Sequence, residues 1–199
     1  MYTFEHGITE QTPALTDYRY IGSNPNNYGK FNDGETWRII GVFKVEDGNG
    51  KWEDKVKIIR DESSDELFWN LTWFGEWNGS TMQVYLNDNY IIDSSSFNMI
   101  SVAKFYLGGL STYPSGDDYY NNERSLTVYG NMSKYWIGKI VLMYPSDYIF
   151  SYVLGVDDTC YNTPNNCSTS IQTTSWLFRS GYNQCFLTPN IFRNNTIFM

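Results

Sequence analysis

The chain has 199 residues, 18 % of them aromatic and only 18 % charged, with a net charge of −8. That length fits one domain with a core of its own, and the acidic balance argues against nucleic acid or an anionic membrane as the natural partner. No stretch nears the roughly 20 apolar residues of a bilayer span, and residues 1–15 lack the basic head and apolar run of a signal peptide.

Residues 1–19 are polar and read as a loosely tied lead-in, with Tyr18 and Tyr20 opening the first strand of a single domain over 20–199. SNPNNYG (Ser23 to Gly29) is a turn. Trp37 to Lys44 is a strand, and its apolar run from Ile39 to Phe43 places it at the centre of a sheet. DGNG (Asp47 to Gly50) signals a hairpin, and Lys55 to Arg60 is the returning strand. There Val56, Ile58 and Arg60 alternate with Lys57 and Ile59, which predicts one buried and one mixed face.

Trp69, Trp73 and Trp77 recur every four residues, but Gly75, Gly79 and nearby Asn predict a loop packed by its own indoles. Ser80 and Gln83 form a capping-box pair for a helix that shares Met82, Tyr85 and Leu86 on one face. A second short helix is expected over Ser94 to Ile100, and a strand over Val102 to Leu107. Tyr113 to Tyr135, centred on PSGDDYYNNER, is a long polar insert, either a functional loop or a mobile one. Ile140 to Tyr144 is the second core strand, ended by Pro145, with Ser146 and Asp147 capping a short helix through Leu154. Trp176 to Met199 reads as strand, turn, strand.

Cys160 and Cys167 bracket a short polar loop, TCYNTPNNC, with little core of its own; a disulfide would organise it, and two free thiols are the alternative. Cys185, beside Phe186 and Leu187, reads as a buried apolar residue. One histidine, His6, near a terminus leaves Ser-His-Asp and Cys-His arrangements without a base. The acids Asp61, Glu62, Asp65 and Glu66, and Asp157 with Asp158, read as solvated surface, and no spacing singles out an acid and a base. Asp157, Asp158, Asn162 and Asn165 offer oxygen ligands for calcium, but a disulfide-pinned polar loop is the default there, so no cofactor is expected.

Tyr, Trp, Asn and Gln give contact area and adaptable hydrogen bonds at low entropic cost. Trp176, Arg179, Tyr182, Asn183 and Gln184 surround a turn at Ser180-Gly181 and form the expected ligand face; the competing reading puts Trp176 in the core. A composition rich in Tyr and Asn fits secreted or displayed β-rich proteins, so a segment of a longer exported protein is the favoured setting.

The motifs MYTFEH, DYRYIG, NPNNY, WRIIGVF, KIIRDE, YLN, AKFYLGG, ERS and GKIVLMYPSDY, followed by the Cys160–Cys167 loop, occur in order from Met1 to Pro189. Together they resemble an uncharacterised bacterial surface-protein domain family, found in secreted and surface proteins of gut-type Gram-positive bacteria. The resemblance implies an α+β fold like C-type lectins and formylglycine-generating-enzyme relatives: a twisted, mostly antiparallel sheet with two flanking short helices and long loops. It also implies that the 176–184 turn is the ligand face.

Two departures stand out. QCFLTP replaces the family's W-T-L-S-P motif, and the glycine-rich hairpin and closing G-V-R-P strand are missing before Met199, so the chain is cut there or IFRNNTIFM replaces that strand. The calcium lectins' Glu-Pro-Asn or Gln-Pro-Asp motif is absent, since Thr188-Pro189-Asn190 lacks the carboxylate. The oxidative chemistry of the formylglycine-generating relatives needs two cysteines near the C-terminal core, where only Cys185 lies. The expected function is non-enzymatic, extracellular capture of a protein or glycan ligand. A structural or pilus-associated surface module and a glycan-acting hydrolase are the alternatives.

Overall fold

A computed structural model describes residues 1–62, 76–90, 92, 94–109, 115–128, 131–152, 175–177 and 187. These form an α+β fold of antiparallel sheets and short helices. Strands β1 (Tyr2–His6), β2 (Leu15–Arg19), β3 (Tyr28–Phe31), β4 (Glu35–Glu46) and β5 (Trp52–Arg60) make one sheet. In it β4 is central: β2 and β3 pair along one edge of β4, β5 pairs along the other, and β1 lies outside β2. Helix α1 (Thr81–Val84) continues into a π-helical turn (Tyr85–Tyr90), and a 3-10 turn covers Ser95–Met99. Strand β6 (Ala103–Tyr106) pairs with β7 (Tyr135–Gly138), and helices α2 (Gly116–Glu123) and α3 (Pro145–Ile149) complete the fold.

The central hairpin follows its local signals. Asp47 Oδ1 accepts the amides of Asn49 and Lys51, and Gly48 and Gly50 take φ of +90° and +86°, values that favour glycine. A register shift between Ile39 and Gly41 marks a bulge that turns Ile40 and Gly41 both inward. Ile40 and Phe43 then join Met143, Tyr148, Trp176 and Leu177 in one apolar cluster, against which Val45 and Ile59 pack.

The polarity of β5 is the reverse of the sequence expectation. Val56 is 59 % exposed, whereas Lys57 and Ile59 face inward. The inward lysine is accommodated because Asp147, ninety residues away, neutralises it.

Three further expectations are corrected. The lead-in over residues 1–19 is instead a β-hairpin that places Phe4, His6, Leu15, Asp17 and Arg19 in the interior. The insert around PSGDDYYNNER holds a core helix: Ser115 caps α2 by accepting the Asp118 amide, and Tyr119, Tyr120 and Glu123 are buried. Ile140 to Tyr144 is not a laddered strand. The Asn87 side chain takes both backbone groups of Ile140, its Oδ1 accepting the amide at 3.0 Å and its Nδ2 donating to the carbonyl at 2.9 Å. Ile140, Val141 and Leu142 pack onto the cluster of Trp77, Met82, Leu86, Leu107, Tyr144 and Leu187.

The helix beginning at Ser80 is present, with Ser80 Oγ accepting the Gln83 amide; the Gln83 side chain reaches Gly79 rather than Ser80. Helix α3 starts with Pro145 at its first position, and Asp147, not Ser146, receives the Tyr144 amide. No described helix is long and apolar enough to cross a membrane.

Candidate functional site

Among the described residues, a set of buried titratable groups converges inside the fold. Asp17 lies on β2 opposite Phe4, and Arg19 lies two residues on, so both point inward with the even-numbered residues of β1. Asp17 Oδ2 accepts from Arg19 Nη2 at 2.8 Å and from His6 Nε2 at 3.0 Å. Arg19 Nη1 then donates to Asp147 Oδ1 at 3.1 Å, and Lys57 donates to Asp147 Oδ2. A chain of alternating charge thus runs from β2 through α3 to β5. Only Lys57, with a side chain 23 % exposed, reaches solvent.

A second cluster joins α2 to α3. Glu123 accepts the Ser146 amide at 2.9 Å, shares a 2.6 Å hydrogen bond with Ser146 Oγ, and receives Arg124 Nη1 at 3.2 Å. The two clusters meet at Tyr120, whose ring stacks on His6 at 3.6 Å and carries the Arg124 guanidinium 3.4 Å from its centroid. Two groups that close to one ring centre must occupy opposite faces, so Tyr120 separates the imidazole from the guanidinium. Arg19 Nε, Arg124 Nε and Tyr106 Oη are buried without a hydrogen-bond partner.

Burial and neighbouring charge compete at each titratable group. Burial disfavours the Asp17 carboxylate, but Arg19 and then His6 outweigh it and hold the group at about 2. Burial likewise opposes Asp147, and Lys57 and Arg19 override it to lower its pKa. Burial wins at Glu123, raising it to about 7 against Arg124 and Ser146. It also wins at His6, lowering the imidazole despite Asp17. Every one of these groups is engaged by structural partners.

Trp176 belongs to the frame. Its ring is 4 % exposed, its Nε1 donates to the Tyr20 carbonyl at 2.9 Å, and its amide donates to Gly22. The Arg38 guanidinium lies 4.3 Å from the Trp176 ring centre and 4.4 Å from that of Tyr28, while Nε and Nη2 both hold Asn27 Oδ1. Of the two places the sequence left for Trp176, core and ligand face, the ring occupies the core. Arg179, Tyr182, Asn183 and Gln184 lie outside the described residues. So do Cys160, Cys167, Cys185 and the calcium candidates Asp157, Asp158, Asn162 and Asn165.

Sequence reasoning missed the His6–Asp17–Arg19 set because it placed all three in a lead-in. An available signal was the alternation of Leu15, Asp17 and Arg19 against Thr16 and Tyr18, the period of a strand. The Ser115-x-x-Asp118 pair could have revealed α2 in the same way. A shallow open depression of about 230 Å³, lined by Gly34, Glu35, Thr36, Arg60 and Glu62, lies at the β3–β4 turn. Its Glu35 is already engaged by Asn32, Trp37 and Arg60. Among the described residues no group of three or more His, Cys, Asp or Glu side chains could hold a metal ion.

Compared with protein-family models, with curated proteins and with solved structures, the chain matches none.

Proposed function

We propose that the chain is a non-enzymatic recognition module of a bacterial cell-surface protein, displayed outside the cell, whose ligand is a protein or a glycan. The observation that carries this reading is the disposition of the buried titratable groups among the described residues. His6, Asp17, Glu123 and Asp147 are all buried and all engaged by structural partners, so these acids and the single histidine serve the frame. Recognition then falls to Arg179, Tyr182, Asn183 and Gln184 as the contact residues.

Trp176 takes a different part from the one its neighbours have. Pinned to Tyr20, Gly22 and Arg38, it anchors the start of the segment that carries them. A stiff anchor lowers the entropy lost when a loop captures a ligand. The likeness to C-type-lectin-like folds belongs to the same proposal and rests on the sequence motifs, as does a disulfide between Cys160 and Cys167. Alkylation without reductant would label one thiol if that bond forms and three if it does not.

The test of the ligand face is the double variant Arg179→Ala with Tyr182→Ala, probed on arrays of glycans and host surface proteins. Native protein should be retained on at least one array feature. The variant should keep the native thermal unfolding curve and lose that retention. Equal retention of both proteins would place the ligand elsewhere.

A further inference from the structure

One face of the five-stranded sheet packs on the helices; the other carries an apolar strip in which Ile39, Val42 and Ile58 are partly buried and Val56 and Tyr18 are exposed. Register assigns Tyr18, Ile39, Val42, Val56 and Ile58 to the open face, because Tyr18 pairs with Val42, Val42 with Val56, and Ile39 with Ile58. Val56 is 59 % exposed and Tyr18 45 %. The open face of an antiparallel sheet normally carries polar side chains, and a contiguous apolar patch on one marks a contact surface.

The charges around the patch specify its occupant. On β4, Glu35 lies at one end of the strip and Lys44 at the other; on β5, Asp54 lies opposite Lys44, and Arg60 lies opposite Trp37 beside Glu35. Each end holds an ion pair within the chain, Lys44–Asp54 at 3.8 Å and Arg60–Glu35 at 3.1 Å. The charges on β4 and β5 at the two ends of the strip are therefore balanced, although the chain as a whole carries −8.

The ends are also reciprocal. The midpoint between Glu35 and Lys44 falls between Ile39 and Ile40, and the midpoint between Asp54 and Arg60 is Lys57. Because Ile39 pairs with Ile58 and Gly41 with Lys57, the two midpoints fall within about one residue of each other across the ladder. A two-fold axis through that point, lying in the interface and perpendicular to the strands, keeps β4 over β4 and β5 over β5 while reversing their ends. It brings Lys44 onto Glu35 of the second copy and Asp54 onto Arg60 of the second copy.

We propose that this face is an isologous interface that takes a second copy of the same chain, sheet on sheet, about that axis. Such packing interdigitates two faces at about 10 Å, with Val42, Val56, Ile39 and Ile58 at its centre. Ten residues of β4 at about 3.3 Å each, across three strands, give roughly 500 Å². That is below the roughly 800 Å² per partner of a standard interface, so the dimer is weak and concentration-dependent. The inference is independent of the ligand reading, since it uses only the outer face of the sheet.

Sedimentation velocity of the intact chain, from about 1 µM to about 1 mM, reads this directly. The native chain should shift from monomer to dimer across that range. Val56→Glu should remain monomeric with an unchanged circular dichroism spectrum, because the side chain replaced points outward. The pair swap Lys44→Glu with Asp54→Lys keeps an ion pair within each chain but sets like charges against each other across the axis. The carboxylate introduced on β4 then faces Glu35 of the second copy, and the ammonium introduced on β5 faces its Arg60. The swap should weaken the dimer by at least about tenfold. A native chain that stays monomeric throughout leaves the face to another occupant and overturns the proposal. A dimer indifferent to Val56→Glu, or to the swap, overturns it as well.

Discussion

Among the buried carboxylates described, Glu123 is the one where burial prevails over its partners: it is 2 % exposed, on α2, facing the first turn of α3. Burial raises it to about 7 from the ordinary 4.5, so the native chain holds the Glu123 proton more tightly than the unfolded chain does. Its contribution to stability is present below about pH 4.5 and is lost as pH rises through about 7. His6 works in the other direction. Its lowered pKa means its contribution is present above about 6.5 and is lost as pH falls. Asp17, held at about 2, loses its contribution only in strong acid, below its ordinary 3.8. Substituting Glu123→Gln removes the opposing group and leaves the amide able to meet Ser146. Urea midpoints taken between about pH 5 and about pH 7 should fall, or stay flat, in the native protein and rise in the variant. Parallel profiles would mean that Glu123 titrates like an exposed carboxyl.

At the scale of elements, the joint between β2 and β4 is the narrowest in the sheet, with only Tyr18↔Val42 and Arg19↔Gly41 in register. A side chain at Gly41 would bring its Cβ within 2.1 Å of the Tyr18 carbonyl oxygen and 3.0 Å of the Arg19 Cα, both backbone atoms that cannot swing aside. Gly41→Ala should therefore part the N-terminal hairpin from the sheet and destabilise the chain by about 3 kcal/mol or more. Hydrogen exchange would show the loss concentrated in amides of β1 and β2, while β4–β5 amides keep their protection. Uniform loss over both would argue that the two hairpins open as one unit.

Local signals explain which elements were legible. The β4–β5 hairpin, the Ser80 cap and the 3-10 turn after Ser94 each announce themselves within a few residues. Elements defined by distant partners did not. Lys57 looks like surface until Asp147 is beside it, and Asp17 and Arg19 look like a solvated lead-in until each is seen to neutralise the other. Ile140 to Met143 has a strand's composition, but Asn87 supplies a side-chain amide where a neighbouring strand would have been. Of the candidate site, only the alternative of a core Trp176 could be read against described residues.

Taken as a whole, the molecule is tied together by charge as much as by apolar contact, and the ties start at its first residues. MYTFEH supplies His6, DYRYIG supplies Asp17 and Arg19, KIIRDE follows from Lys57, ERS opens with Glu123 and Arg124, and the YPSDY segment holds Ser146 and Asp147. These sequence segments build the frame. Replacing a buried ion network by apolar groups can be neutral, but removing one partner strands the others, at a cost of about 3–5 kcal/mol. Deleting residues 1–19 would take Arg19 from Asp147, leaving Lys57 alone to neutralise it, and would also expose Phe150, which packs against Phe4 and His6. A chain starting at Tyr20 should lose its cooperative thermal transition, whereas a detachable lead-in would leave it unchanged. Arg19→Met keeps the length and most of the volume while removing the cation shared by Asp17 and Asp147. It should lower the unfolding midpoint of the full chain without abolishing the transition, and it should do so least below about pH 4, where those carboxylates begin to take up protons in the unfolded chain. A full deletion that melts like the native chain would show that the hairpin merely rests on the domain.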